Sequence, residues 1–176
     1  STKNQSGKVD YPGAVELMFL RQIAQELLQH LPQEQDPNEQ SLQIETTSEG
    51  IRITVFDRSR KAIFEPQSTD LTPYGDWVLS TLAWPLSTYT NLSLEVEGHT
   101  ERGHPPVRPN YGNWELSTDR ANTARRKLIE HGVGNQHVQK VAGFADTQPL
   151  PHRTPQDEVN RRITVMLKLR SDPSSS

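Results

Sequence analysis

Residues 91–144, NLSLEVEGHTERGHPPVRPNYGNWELSTDRANTARRKLIEHGVGNQHVQKVAGF, decide the fold class. Leu92, Leu94 and Val96 alternate with polar neighbours, the period-two mark of a strand with one buried face. VQKVAGF (138–144) is a second strand candidate. Between them, Ser117 is a good N-cap for a helix from Thr118 to about His131. Asp119 falls in its first turn and Arg125, Arg126 and Lys127 further along, which suits the helix dipole. Gly132 then takes the position just past the helix end. A strand, a helix and a strand in succession predict a helix laid on a sheet.

The flanks extend this pattern. Leu17, Leu20, Ala24, Leu27, Leu28 and Leu31 recur at three- and four-residue steps, an amphipathic helix that Pro32 stops. Leu42 and Ile44, then Ile51, Ile53 and Val55, alternate around a turn at Glu49-Gly50 and predict a hairpin-like pair of strands. Thr72 followed by Pro73 reads as an N-cap with proline at the first helical position, opening a helix that should end before Pro85. ITVMLKLR (163–170) alternates as a final strand. The fold class expected is α/β, or α+β: a two-layer sandwich, a mixed β-sheet with the helices on one face, plus an N-terminal amphipathic helix. The expected divisions are a disordered lead-in at 1–12, an N-terminal helix and linker at 13–40, the main domain at 41–170 and a disordered tail at 171–176. No internal repeat is found.

Composition narrows the function. The apolar fraction is 32%, about 38% once the 10 glycines are added, against a typical ~45–50%. Part of the chain is therefore expected outside the core. A net charge of −3 gives no drive toward nucleic acid or an anionic membrane. The absence of cysteine excludes disulfides, thiolate metal sites and cysteine nucleophiles. No apolar run approaches the ~20 residues that span a bilayer, and no signal-peptide pattern opens the chain, so an exported protein is expected to be present here as a mature or excised piece.

The chemistry concentrates in GHTERGHPPVRPNYGNWELSTDRA (98–121). Four readings compete. His99 and Glu101 lie two apart at a strand end and so share a face; with His104 they would make a two-His, one-carboxylate metal site, and a metal-dependent hydrolase would follow. Ser117 or Thr118 would be a nucleophile given a nearby base, but Ser117 is better explained as the helix cap. Glu101 with Glu115 or Asp119 would flank a sugar as a carboxylate pair. Lastly, the stretch would hold a small zwitterion: Glu101 takes an ammonium, Arg120 in the first turn of the next helix forks onto a carboxylate, the helix N-terminus adds donors, and Asn113 offers both donor and acceptor. On spacing alone, this reading of Arg120 and that of an ordinary surface charge stand level.

A resemblance separates them. VEGHTE, NWELSTDRA and NRRITVML, together with Gly143-Phe144 and Pro149, resemble the motifs of the OmpA-like peptidoglycan-binding domain, in the same order and over about residues 51 to 169. The tryptophan in NWELS, the long loop at 102–112 and the stretch from Glu49 to Gly75 look like the MotB/PomB flagellar stator family. That resemblance implies a non-enzymatic domain, with no catalytic residue, metal or cofactor. It implies a partner in peptidoglycan, through the peptide stem and its diaminopimelate as well as the glycan. It implies a homodimer, and a MotA/PomA-type stator A subunit met through a membrane region outside these residues. The place implied is the periplasm, as part of a single-pass inner-membrane protein. The ligand-lining positions carried over are Thr100, Glu101, Asn113, Leu116, Arg120 and Arg161. Glu101 departs from the family, which has aspartate there, and carries the carboxylate one methylene further out. An OmpA-like anchor of another kind, a lipoprotein or secretion-system component, is the alternative. No role is expected for His104 and the prolines around it.

Overall fold

The computed structural model describes residues 13–31, 34–36 and 38–170. The lead-in at 1–12 and the tail at 171–176 lie outside them. The expected helices and strands are all present. Helix α1 spans Ala14–His30, α2 Pro73–Ser87 and α3 Asn113–Glu130. The strands are β1 (Leu42–Thr46), β2 (Ile51–Phe56), β3 (Leu92–His99), β4 (Val138–Gly143) and β5 (Arg162–Leu169).

The five strands form one sheet in the order β1-β2-β5-β3-β4. Only β3 and β4 run parallel; the other three pairings are antiparallel. A parallel neighbour needs a crossover, and α3 supplies it. Alternation sorts the side chains. Ile51, Ile53, Val55, Leu94, Val96, Val165 and Leu167 are almost fully buried against the helices. From α1, Leu20, Ile23 and Leu27 join this core, and from α2 Leu79 and Leu82. Each such burial is worth roughly 1.5–3 kcal/mol. The other face carries a charge ladder instead: Lys140 lies 3.2 Å from Glu95 and 3.0 Å from Glu97, and Lys168 lies 3.1 Å from Glu95. The sheet is thus mixed and two-layered with helices on one face, as expected.

Two helix boundaries differ from expectation. Helix α2 runs through Pro85 to Ser87. Pro85 stands in the final turn, where a missing N–H removes one helical hydrogen bond and leaves the preceding turns whole. Its ring is buried, and Ser87 and Thr88 return hydrogen bonds to Trp84 O and Pro85 O. Helix α3 begins at Asn113, not Thr118, with Gly112 as N-cap. The Glu115 carboxylate accepts from Gly112 N at 3.0 Å, the reciprocal half of a capping box.

Ser117 therefore sits inside α3 and is fully buried. Its hydroxyl accepts from Ala145 N at 3.0 Å, tying the helix to the end of β4. The helix can come this close because Gly98 and Gly143 stand opposite each other on β3 and β4. A Cβ at Gly98 would lie 2.1 Å from Ser117 O, and one at Gly143 2.1 Å from Thr118 Oγ1. The serine is a rivet rather than a cap.

The linker before β1 is held down. Lys61 pairs with Glu34, Arg60 lies 3.3 Å from Glu39, and Arg58 Nε donates to Gln40 O at 2.7 Å.

Candidate functional site

The three strand-to-loop junctions nearest the chain's charged motifs converge. Strand β2 ends at Phe56 and delivers Asp57; β3 ends at His99 and delivers Thr100 and Glu101; β5 is entered through Asn160, Arg161 and Arg162. In the pairing, Phe56 and His99 both face Arg162, which fixes these junctions at one end of the sheet.

The Asn-Arg-Arg motif divides its labour by alternation. Asn160 accepts from Leu150 N at 2.7 Å and donates to Thr154 O at 2.9 Å, shaping the loop before β5. Arg162 donates to Asn160 O and Gln148 O and is buried. Arg161 turns the other way. It donates to Asp57 O from Nε (3.1 Å) and Nη2 (2.9 Å), and from Nη1 to Glu101 Oε1 at 3.1 Å.

Arg120 reaches the same place from α3. It is the eighth residue of that helix, not in its first turn, and only 4% exposed. Nε donates to Ser68 O at 2.8 Å, Nη2 to Glu65 O at 3.4 Å and Nη1 to Asp57 Oδ2 at 3.4 Å. Its guanidinium lies 4.8 Å over the Phe64 ring. Burial lowers its pKa, an effect the Asp57 carboxylate opposes. A guanidinium has five N–H groups, and three are engaged, so two remain for a carboxylate.

Asp57 is the residue that sequence reasoning missed. It is 5% exposed and accepts from Ile63 N at 2.7 Å and Phe64 N at 3.3 Å through Oδ1. Oδ2 faces both arginines, at 3.4 Å from Arg120 and 3.7 Å from Arg161. The acid beside Arg120 is thus Asp57, whereas Glu101, expected in that role, pairs with Arg161 and with His104 Nε2 at 2.5 Å. The helix N-terminus stands apart from these groups, since none of residues 112–115 lines the cavity they enclose.

These groups line a cavity of about 310 Å³ whose walls include Asp57, Phe64, Glu101, His104, Arg120 and Arg161. Two carboxylates and two guanidinium groups balance in charge. Such a cavity suits a ligand that carries both signs, because neither it nor the wall is left with a buried unpaired charge. Of the six lining positions expected, Glu101, Arg120 and Arg161 come together here. Thr100, Asn113 and Leu116 do not line it. Thr100 N donates to Ala145 O, Leu116 is packed inside, and Asn113 is the first residue of α3.

The metal reading fares differently. His99 and Glu101 do not share a face, because the strand ends between them. The His99 ring stacks on Phe144 with centroids 5.2 Å apart, while Glu101 enters the cavity. Burial, then Arg162 and Arg52, depress the His99 pKa to about 3. Among the described residues no group of three acidic, histidine or cysteine side chains is placed to hold a metal ion.

The loop at 102–112 is tied at both ends. Arg102 Nε donates to Asp146 at 3.0 Å. Tyr111 donates to Asp119 at 2.6 Å and stacks under Arg108, whose Cζ lies 4.0 Å from the ring centre. Burial, together with the Asp119 hydrogen bond, pushes the Tyr111 pKa up to about 12.

Known proteins are similar to this chain in sequence and in fold. Over 127 residues the chain is 37% identical to Motility protein B of Escherichia coli strain K12, a stretch covering 72% of this chain and 41% of that protein. The chain thus spans less than half the length of this relative. In fold it is similar to a MotB-like protein from Desulfovibrio vulgaris, with a TM-score of 0.71 and 22% identity, covering 88% of this chain and 96% of that one. It is also similar to the cell wall anchor of the T6SS from Pseudomonas aeruginosa, with a TM-score of 0.64 and 18% identity, covering 86% and 97%. The OmpA family matches over residues 63–162. That span takes in Phe64, Glu101, Arg120 and Arg161 from the cavity wall, and the chain belongs to the OmpA family.

Proposed function

We propose that this chain is the periplasmic part of a flagellar stator B subunit, and that it anchors the stator by binding peptidoglycan without covalent chemistry. Residues 41–170 are the wall-binding domain in this reading, and 13–40 the helix and linker that lead to it. The ligand is the peptide stem, with diaminopimelate as the zwitterionic group recognised. Arg120 offers its two unused N–H groups to the carboxylate. Glu101 takes the ammonium. Arg161 and Asp57 hold those two side chains in place. Thr100, Asn113 and Leu116 stay within the proposed site as the ends of β3 and α3 between which the 102–112 loop is hung. The domain works as a homodimer, and a MotA/PomA-type A subunit is met through the membrane region. Among the described residues no helix is long and apolar enough to cross a membrane.

The observation that carries this reading is the charge-balanced cavity, with a buried arginine whose fork is two-fifths free. The 37% identity to Motility protein B supports the stator assignment. Purified sacculi test it. Wild-type protein should be retained, and Arg120→Ala and Arg120→Lys should both be lost to the supernatant. The lysine variant keeps the charge but not the fork. No retention of wild type, or equal retention of all three, overturns the assignment.

A further inference from the structure

Glu101 is not waiting empty for an ammonium. His104 Nε2 already lies 2.5 Å from Glu101 Oε1, the same oxygen that accepts from Arg161. The two partners are unlike. Arg161 is anchored by two further donations to Asp57 O. His104 has Glu101 as its one ion-pair partner among the described residues, and its side chain is 47% exposed against 4% for Glu101. It reaches the cavity from the exposed loop at 102–112 and forms part of the wall.

We propose that His104 is a displaceable occupant of the cation position on Glu101, which a ligand's ammonium must push aside. This rests on the function proposed above and adds a determinant of affinity to it. Both cations sit on Oε1, so an ammonium that takes that oxygen displaces the partner that is not otherwise anchored, His104. An ammonium carried by a ligand competes with the His104 ring for that oxygen, and a ligand that wins it first separates the pair. The other charges facing His104 are Asp57, Arg120 and Arg161 across the cavity, with Glu158 beyond Arg161 and Arg102 held by Asp146. Removing the His104 side chain therefore strengthens ligand binding, and a fixed cation in its place weakens it.

The experiment compares wild type, His104→Ala and His104→Lys as full chains at one pH, with free diaminopimelate as probe. Binding is read from ligand-dependent shifts in a two-dimensional NMR spectrum. His104→Ala should bind about fivefold more tightly than wild type, the scale of one half-exposed ion pair. His104→Lys, which puts a longer and more strongly hydrated cation on Glu101, should bind more weakly than wild type. Unchanged or weaker binding by His104→Ala, with wild-type binding intact, overturns the role of His104 alone. Absence of binding by wild type and His104→Ala alike overturns the ligand assignment and this inference with it.

Discussion

Strand β3 and helix α3 make two unlike places within a few residues of each other. Where they pass, Gly98 and Gly143 let the helix backbone almost touch the sheet, and Ser117 fastens it. Ser117 Oγ accepts from Ala145 N there and donates to Trp114 O. Beyond the last residue of β3, the same two elements supply Glu101 and Arg120 to an open cavity lined by charge. In the first place a dry, close contact fixes distance. In the second, ionic groups are held by neighbours and keep unspent donors. The contrast teaches that the rigid contact lets the charged one exist. A buried guanidinium needs its carboxylate at hydrogen-bond distance, and a helix free to slide would not keep it there.

Breaking the contact should have the largest effect. Gly98→Ala places a methyl group against Ser117 O and should destabilise the domain by about 3 kcal/mol or more, seen as a lower urea midpoint. If stability holds, the closeness of α3 is not what the glycines are for. Breaking the charged region comes next. Asp57→Asn keeps an acceptor for Ile63 N and Phe64 N but removes the charge facing Arg120 and Arg161. A loss of about 2 kcal/mol is expected, with sacculus binding reduced. Binding by Asp57→Asn at the wild-type level would show that Arg120 needs no carboxylate to stay in position.

His99 lies between the two regions, and its effect is a slope, the smallest change at any one step of pH. Its folded pKa of about 3 is below the ordinary value of ~6.5, mainly through burial. The unfolded chain therefore takes up a proton that the folded chain refuses. The stability that the neutral ring contributes is complete above pH 6.5 and is lost as pH falls toward 3. The slope expected is about 1 kcal/mol per pH unit. His99→Gln should flatten that part of the curve, measured by urea unfolding from pH 7 to 4. An unchanged slope would place the proton uptake elsewhere.

Much of this is legible in the sequence, for physical reasons that can be named. The sheet can be read because its buried residues alternate and the covering helices on one side leave charge on the other. Glu101, Arg120 and Arg161 can be read because they sit in stretches that resemble the motifs of the OmpA-like domain. The start of α3 is misplaced because a serine is a stronger cap signal than glycine, although Glu115 stands three residues past Gly112. Ser117 has a tertiary role that no local rule reports. Asp57 escapes notice because its partners are far along the chain, Arg120 in α3 and Arg161 before β5. Its position at the end of a strand is the only local hint. His104 reads as filler in a proline-rich loop, since nothing in spacing says which way a loop folds back.

The place of β5 in the sheet has a kinetic consequence. The last strand in sequence is the middle one in space, bonded to β2 on one side and β3 on the other. During synthesis the β1–β2 hairpin and the β3–α3–β4 unit emerge as two half-sheets, each with a strand edge unfilled. Neither can join the other until residues 162–169 arrive. Arg161 immediately precedes that strand, so the cavity also closes only then. Until then both edges are open to pairing with other chains. Assembly of the sheet and of the site is thus one late event, reached through contacts that span more than a hundred residues.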